Sequence, residues 1–283
     1  MNGMELKSTK PILKWAGGKR QLIIELKSAL PPKGYNRYIE PFVGGGALLF
    51  ALQPAQAIIN DFNWELTNMY TVIREHSDEL ISVLAEYKEK HNEDFYYHIR
   101  GLDRTEEFEN LSAVKKAART IYLNRTCYNG LFRVNRQGYF NTPIGRYNNP
   151  LILDEDNIRA VQEYLKRRQI EIKTGDFATT ALLAGKKDFV YLDPPYYPMS
   201  KTSSFTDYTS VGFGKEEQER LKTVCDLLDK KGAFFLQSNS DCEYIRNLYK
   251  GYYFRKVEVK RAINSKKECR GNIAEVLISN YPI

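Results

Sequence analysis

Cysteine and histidine are scarce in this chain of 283 residues, which contains four cysteines and three histidines. The cysteines form no CxxC pair and have no histidine at the spacing of zinc ligands; they are Cys127, Cys225, Cys242 and Cys269. The pattern therefore argues against a structural zinc site. Because scattered thiols fit a reducing compartment better than a disulfide framework, we expect a cytoplasmic protein that uses no metal ion.

Long apolar runs are also absent. The longest, residues 44–52, is far shorter than the roughly 20 residues that a helix needs to cross a bilayer. Residues 1–5 show no apolar core of a signal peptide, so we expect no membrane partner. The net charge of +7 instead suits an anionic partner such as nucleic acid, and the 13% of aromatic residues supply side chains that can stack on bases.

Apolar runs typical of strands alternate with helical patterns along most of the chain. Strands are predicted at residues 38–42, 57–61, 170–173, 189–192, 233–237, 252–259 and 273–279. Because helical patterns interleave with them, the sequence predicts an α/β fold with a mostly parallel sheet. The composition changes in the middle of the chain. We interpret residues 63–154 as an insertion into a sheet domain formed by residues 1–62 and 155–283.

The tetrapeptide Asp193-Pro194-Pro195-Tyr196 directly follows the apolar strand at 189–192. Proline fixes φ near −65° and offers no N–H, so this turn is stiff. The carboxylate of Asp193, the carbonyl of Pro194 and the ring of Tyr196 together suit a planar ring that bears an amino group. The amino hydrogens would go to the two oxygens, and the ring would stack on Tyr196. The alternative is an ordinary proline-rich turn after a strand.

Glycines follow the first predicted strand, in the run Phe-Val-Gly-Gly-Gly at residues 42–46. Glycine there lets a ligand approach the backbone closely. Asp61 ends the next strand, where nucleotide-binding folds carry a carboxylate for the ribose. The third glycine of the dinucleotide fingerprint is replaced by Leu49, which disfavours a nicotinamide-dependent oxidoreductase.

Two further segments carry weaker signals. Residues 14–19, Lys-Trp-Ala-Gly-Gly-Lys, lack the spacing of a P-loop, but their lysines could bind a carboxylate. Asp176 and Phe177 follow the strand at 170–173, where an acid and an aromatic ring could bind the edge and face of a base. A helix cap by Asp176 is the more ordinary interpretation.

Residues 115–150 contain no acidic residue at all. Seven basic residues occur there: Lys115, Lys116, Arg119, Arg125, Arg133, Arg136 and Arg146. Six aromatic residues interleave with them: Tyr122, Tyr128, Phe132, Tyr139, Phe140 and Tyr147. Basic and aromatic residues in this mixture indicate a nucleic-acid surface. The alternative is a solvated basic face above core tyrosines.

The motifs at residues 14–19, 40–46 and 193–196, in this order, resemble those of the Dam and DpnM family of DNA adenine methyltransferases. The resemblance runs from about Pro11 to the end of the chain. It implies a Rossmann-like methyltransferase sheet of seven strands, mostly parallel with one reversed, and an inserted, mainly helical domain that binds double-stranded DNA. It also implies S-adenosylmethionine as cofactor, S-adenosylhomocysteine as product and no metal, in the cytoplasm of a bacterial or phage-infected cell.

The resemblance assigns roles to individual residues. Asp193, Pro194 and Tyr196 would be catalytic. The cofactor would be held by Trp15, Lys19, Phe42, Gly44, Gly46, Asp61, Asp176, Phe177 and Asp193. DNA would be contacted by Arg125, Tyr128, Asn129, Leu131, Arg133, Asn135, Asn141, Pro143, Arg146 and Tyr147. Within that set, Leu131, Arg133 and Pro143 match base-reading positions, and Tyr128 and Asn129 match residues that enter the base stack. Asn135, Asn141 and Arg146 match phosphate contacts.

The predicted activity is methyl transfer to the exocyclic amino group of adenine in duplex DNA, within the family's usual GATC site, by base flipping and direct in-line transfer. An amino-group methyltransferase acting on RNA and a catalytically dead DNA-binding relative are the alternatives. A role in restriction–modification, in a phage or in gene regulation is left open, as is the oligomeric state, although a monomer suffices. Residues 198–213, rich in serine and threonine, are predicted to close over the target base.

Overall fold

A computed structural model of the chain describes residues 7–15, 17–198, 213–260 and 272–283. The segment predicted to close over the target base lies almost wholly outside these residues. A seven-stranded sheet forms the centre, with strands β1 Tyr38–Glu40, β2 Gln56–Asp61, β3 Gln169–Thr174, β4 Phe189–Leu192, β5 Phe234–Ser240, β6 Tyr253–Lys260 and β7 Asn272–Ser279. Their order across the sheet is β3-β2-β1-β4-β5-β7-β6.

One strand runs against the others. Neighbouring strands from β3 through β5 pair in parallel, whereas β7 is antiparallel to both β5 and β6. The predicted Rossmann-like sheet with one reversed strand is therefore confirmed. Because β1, β2 and β4 are adjacent and parallel, the residues that follow their carboxyl ends meet at one edge of the sheet.

The register of the parallel strands explains why they are apolar throughout. Ile58, Ile39, Val190 and Phe235 are paired in a row across four strands, and all four pack into the same buried cluster. The neighbouring row, which includes Phe189, packs into a second cluster on the other face. A strand covered on both faces has no solvent side, so its sequence shows a continuous apolar run rather than an alternation.

The helices cover both faces of the sheet and build most of the insertion. Those described are α1 Ile23–Ser28, α2 Ala47–Leu52, α3 Trp64–Glu75, α4 Ser77–Glu89, α5 Glu93–Gly101, α6 Glu106–Asn110, α7 Ala113–Thr126, α8 Glu155–Arg167, α9 Phe177–Ala181, α10 Lys215–Lys230 and α11 Glu243–Leu248. Helix α7 packs against α3, α4 and α5. Within the described ranges, no helix has the length and apolar character to cross a membrane.

The insertion shares its hydrophobic core with the sheet. Tyr38 and Ile59 of the sheet belong to the same cluster of buried side chains as Ile121 and Tyr122 of α7. The boundaries at residues 62 and 155 remain a prediction. What the packing shows is that helix α7 is buried against elements that rest on the sheet.

The prediction that the acid-free stretch forms a basic surface is wrong for Arg119. Its side chain is 1% exposed and forms ion pairs with Asp103 at 2.7 Å and Glu65 at 3.7 Å. It also donates to the carbonyls of Ile99 and Arg100. The acids that neutralise it belong to other segments, so a count within the stretch could not reveal them. Three of the six aromatic residues are likewise core residues: Tyr122, Phe132 and Phe140.

Candidate active site

Three carboxylates gather where the adjacent parallel strands end. Glu40 ends β1, Asp61 ends β2 and Asp193 follows β4. Glu40 is buried, accepts a hydrogen bond from the Tyr38 hydroxyl at 2.9 Å, and burial raises its pKa well above the usual range. Glu40 belongs to the motif at residues 40–46, but no role was predicted for it from the sequence. Its place at the end of a strand next to a predicted site was the available signal.

The glycine turn after β1 is built around positive φ angles. Gly44 has φ +47° and Gly46 has φ +68°, which only glycine adopts readily. The Gly44 N–H donates to Asp61 Oδ2 at 2.9 Å, and the Tyr70 hydroxyl donates to the Gly44 carbonyl at 2.8 Å. A Cβ added to Gly44 would lie 2.8 Å from the indole Cδ1 of Trp15. The turn therefore holds Trp15 and Asp61 beside one another.

The two carboxylate oxygens of Asp61 accept hydrogen bonds from different backbone N–H groups. Besides Gly44, the N–H of Asn63 donates to its Oδ1 at 2.9 Å. Burial raises the pKa of Asp61 to about 6, although these N–H groups oppose the rise. A carboxylate fixed in this way is a preorganised acceptor at the rim of the glycine turn.

Asp193 is paired with Lys19. Lys19 Nζ lies 2.9 Å from Asp193 Oδ1, donates to the Gly17 carbonyl at 2.7 Å and lies 4.7 Å from the centre of the Tyr196 ring. The lysine is only 6% exposed. Burial raises the pKa of Asp193 to about 6; the charge and hydrogen bond of Lys19 oppose this, and the charge of Glu275 adds to it.

The turn after Asp193 is braced by two other strands and a helix. The Tyr196 hydroxyl donates to Glu275 Oε2 of β7 at 2.7 Å. Gln218 of α10 donates to the Pro195 carbonyl at 3.0 Å, and Asn239 of β5 in turn donates to Gln218 Oε1 at 3.0 Å. Sequence reasoning missed these three supporting side chains. Asn239 could have been found from the sequence, because it lies among polar residues that end an apolar strand, as Asp193 does after β4. No feature of the sequence pointed to Glu275.

Tyr196 has little freedom to rotate within this arrangement. Burial raises its pKa well above the usual range, and the nearby charges of Asp193 and Glu275 add to this. The Pro194 carbonyl accepts no hydrogen bond from any residue that the structure describes. The turn thus combines a carboxylate, a carbonyl acceptor and a fixed aromatic ring.

Aromatic rings cover the neighbouring part of the edge. Phe42 stacks on Phe177 with ring centres 5.1 Å apart, and Phe213 contacts both rings at 5.8 Å. Asp176 caps α9 by accepting from the N–H groups of Ala178 and Thr179. It is also ion-paired with Arg220, whose guanidinium lies 4.6 Å from the Phe177 ring centre. The helix cap foreseen for Asp176 is therefore present.

All of the predicted DNA-contacting residues except Arg125 lie on two segments, residues 128–135 and 140–147, that contact each other. The Tyr128 N–H donates to the Pro143 carbonyl at 2.8 Å, and Val134 bridges to Phe140. Exposed side chains on these segments are Tyr128, Asn129, Arg133, Pro143 and Arg146; partly exposed ones are Leu131, Asn135, Asn141 and Tyr147. Nine of the ten predicted residues are thus exposed or partly exposed on two segments that contact each other.

Several of these side chains are already engaged. Arg133 Nε donates to Asn141 Oδ1 at 2.7 Å. Asn135 Oδ1 accepts from the N–H groups of Gln137 and Tyr139 and so shapes the turn between the segments. Arg125 differs from the rest, because it is partly buried on α7 and its Nε has no hydrogen-bond partner among the described residues. Burial lowers the pKa of its guanidinium.

Metal coordination has no visible basis in this region. Among the residues that the structure describes, no three His, Cys, Asp or Glu side chains are grouped to hold an ion. The site instead offers acceptors, aromatic faces and one buried ammonium group. Such a set can position a nucleobase and an amino-acid group and can stabilise charge between them.

Comparison with known proteins agrees with this geometry. Residues 15–263 match the model of the D12 class N6 adenine-specific DNA methyltransferases. The chain is 43% identical over 272 residues to a type II methyltransferase of Lactococcus lactis, covering 96% of this chain and 95% of that protein. It is 42% identical to a type II methyltransferase of Methanocaldococcus jannaschii, with 96% and 99% covered.

A third relative carries a different description. The chain is 32% identical over 280 residues to a DNA adenine methylase of Escherichia coli, covering 98% of this chain and 97% of the relative. The family model spans the sheet, the insertion and the Asp193 turn alike. This chain belongs to the family of D12 class N6 adenine-specific DNA methyltransferases.

Proposed function

We propose that this enzyme transfers the methyl group of S-adenosylmethionine to the exocyclic amino group of an adenine that has been flipped out of a GATC site in duplex DNA. The observation that carries the proposal is the turn after β4. It holds the Asp193 carboxylate, the Pro194 carbonyl and the Tyr196 ring at the edge of the sheet, beside the glycine turn.

The residues along this edge fit a nucleoside that bears an amino acid. The carboxylate of Asp61 suits ribose hydroxyls, and the stacked rings of Phe42 and Phe177 suit an adenine ring. The ammonium group of Lys19 suits the carboxylate of the amino-acid part, and Trp15 lies against Gly44. When bound there, the cofactor would supply an electrophilic methyl group on a sulfonium. We include Asp176 and Gly46 in this proposed site.

The proposed chemistry depends on positioning. The adenine amino group is a poor nucleophile because its lone pair is delocalised into the ring. Hydrogen bonds to Asp193 and the Pro194 carbonyl would favour a pyramidal nitrogen, and Tyr196 would hold the ring by stacking. Transfer is then direct: the N–C bond forms as the C–S bond breaks, S-adenosylhomocysteine leaves, and the nitrogen releases one proton to Asp193 or to water. The protein contributes orientation and electrostatic stabilisation. Flipping is required because a stacked and paired adenine cannot place its amino group between Asp193 and the cofactor.

The surface formed by the two folded segments supports a duplex substrate. Tyr128, Arg133, Pro143 and Arg146 are all exposed on these segments, which are joined by the hydrogen bonds of Tyr128 to Pro143 and of Arg133 to Asn141. Arginine can contact guanine O6 and N7 through two hydrogen bonds. We propose that Leu131, Arg133 and Pro143 read bases, that Tyr128 and Asn129 fill the space left by the flipped adenine, and that Asn135, Asn141 and Arg146 contact phosphates.

Methylation of a random-sequence duplex library, with modified adenines located by sequencing, tests the proposal. We expect methyl groups on the amino group of adenine within GATC, and a pattern centred on another sequence would refute the specificity. An equimolar RNA competitor separates the alternatives: preferential RNA methylation would show that the substrate is RNA. A protein that binds the duplex and the cofactor but transfers no methyl group would be a catalytically dead relative.

Removing the charge of Lys19 is expected to move the pH dependence of transfer to higher pH. The ionised carboxylate of Asp193 is a stronger hydrogen-bond acceptor than the protonated group, and burial raises its pKa to about 6 while Lys19 lowers it. The wild-type rate should therefore rise with pH and level off at roughly pH 7. In Lys19→Met the lowering influence is lost, so the pKa of Asp193 rises and the rise in rate shifts upward.

The measurement is the single-turnover rate at saturating cofactor across pH. Lys19→Arg keeps the positive charge and is the control, whose profile should resemble that of the wild type. Superimposable profiles for Lys19→Met and the wild type would contradict the proposed role of Asp193 ionisation.

A further inference from the structure

Two buried asparagines bind the backbone of the same N-terminal segment in the same way. Asn124 of α7 accepts from the Lys14 N–H and donates to the Lys14 carbonyl, both at 2.8 Å. Asn157 of α8 accepts from the Lys10 N–H at 2.9 Å and donates to the Lys10 carbonyl at 3.0 Å. In each case a side-chain amide pairs with both backbone polar groups of one residue, so the segment is fixed at two points four residues apart.

Only the Asn124 contact extends to the DNA-facing segments. The Asn124 amide also donates to the Gly130 carbonyl at 3.1 Å. Gly130 has φ +65°, and a Cβ there would lie 2.8 Å from the Lys14 Cβ. Lys14 Nζ in turn lies 4.8 Å from the centre of the Tyr147 ring. The backbone of Lys14 is therefore packed directly against the turn Tyr128–Gly130 and held there by one side chain that is 1% exposed.

The next residue, Trp15, touches both halves of the proposed site. Its ring centre lies 5.3 Å from that of Phe132, which stands between Leu131 and Arg133. On the other side its indole packs against Gly44, where an added Cβ would lie 2.8 Å from the indole Cδ1, and the Trp15 Cβ would lie 3.1 Å from a Cβ added to Gly45. Any displacement of the glycine turn by a ligand would thus press on the peptide that Asn124 ties to the turn Tyr128–Gly130.

We propose that Asn124 is a positioning residue that couples occupancy of the glycine turn to recognition of DNA by the turn Tyr128–Gly130. The proposal rests on the proposed function, because it takes the glycine turn as the cofactor site and the turn Tyr128–Gly130 as part of the DNA site. Asn124 itself touches neither ligand. It keeps two segments in register that are 110 residues apart in sequence.

Coupling between two sites is reciprocal, so each ligand must raise the affinity of the other by the same factor. Such factors are roughly 5–150-fold when two sites share a common element. The shared element here is the pair Lys14–Trp15, whose first residue is attached to α7 by two hydrogen bonds of Asn124. Without the three hydrogen bonds of Asn124, the two turns can relax independently, and the factor should approach one.

The experiment measures the affinity of S-adenosylhomocysteine with and without a short duplex that carries the site found by the methylation library. For the wild type we expect the duplex to tighten binding by about tenfold. For Asn124→Ala we expect less than about twofold tightening, while the affinity for S-adenosylhomocysteine alone changes little. Asn157→Ala is the matched control. It removes the equivalent pair of hydrogen bonds, to the backbone of Lys10, and should retain the wild-type factor.

A second variant approaches the same contact from the other side. Gly130→Ala places a Cβ against Lys14. Gly138 also has a positive φ, +86°, but a Cβ added there meets no atom within 4 Å, so Gly138→Ala is the control for backbone strain. We expect Gly130→Ala to reduce the factor and Gly138→Ala to preserve it, so these variants decide the question if Asn124→Ala does not fold. An unchanged factor in Asn124→Ala and Gly130→Ala, or an equal loss in Asn157→Ala, overturns the proposal. A wild type that does not methylate DNA refutes the proposed function instead.

Discussion

Replacing Asp193 with alanine is expected to lower the rate of methyl transfer by at least about 10²-fold, the scale of losing one preorganised hydrogen bond in a transition state. The variant loses the acceptor that orients the amino group, and it leaves the Lys19 ammonium without its partner at 2.9 Å. Binding of the duplex should persist, because the proposed DNA surface is formed by other segments. The measurement is the single-turnover rate at saturating cofactor and DNA.

The same strand provides a matched control for this variant. Asp188 immediately precedes β4 at its opposite end, is buried and is ion-paired with Arg37 at 2.7 Å. Asp188→Ala therefore removes a buried, paired carboxylate from the same element without touching the site. It should lower stability but leave the transfer rate of the folded enzyme near that of the wild type. Near-normal turnover by Asp193→Ala would refute the proposed role of Asp193.

Replacing Arg119 with alanine is expected to lower the free energy of unfolding by about 3–5 kcal/mol, the usual cost of removing one partner from a buried ion pair. The carboxylate of Glu65 loses its counter-charge, Asp103 keeps only its ion pair with Arg104 at 2.8 Å, and the carbonyl of Ile99 loses its donor from Arg119. Burial already raises the pKa of Glu65, and Arg119 opposes this. Removing Arg119 raises it further, so the loss of stability should grow as pH rises.

Denaturant unfolding at several pH values measures this effect. Arg136→Ala is the control, because Arg136 is exposed in the same acid-free stretch. Its substitution should change the free energy of unfolding by no more than about 0.5 kcal/mol. Equal stabilities for the two variants would contradict the structural role of Arg119.

The fold and the edge of the sheet follow from sequence for a simple physical reason. A strand buried on both faces is apolar throughout, so its end is marked where polar residues begin. Asp61 and Asp193 could both be assigned to strand ends in this way, and parallel pairing then brings strand ends together. The glycines were equally informative, because Gly44 and Gly46 adopt backbone conformations that other residues rarely take.

What the sequence did not show depends on contacts between distant segments. Glu275 reaches Tyr196 only because the reversed strand β7 is inserted between β5 and β6. Arg119 looked like a surface cation because its partners Asp103 and Glu65 lie in other helices. Local composition gives the charge of a segment, but burial and pairing are set by whichever element packs against it.

The shared core of sheet and insertion has a consequence for how such enzymes can diverge. Exchanging residues 63–154 between relatives would cut through the packing that joins Ile121 and Tyr122 to Tyr38 and Ile59. In such a chimera, the buried side chains of the exchanged segment would not match those of the sheet against which they pack. The exposed rim, where Arg133 and Pro143 stand, can change without repacking anything beneath it. If Arg133 and Pro143 read bases as proposed, new target sequences are most accessible through point changes at these exposed positions, with the buried packing unchanged.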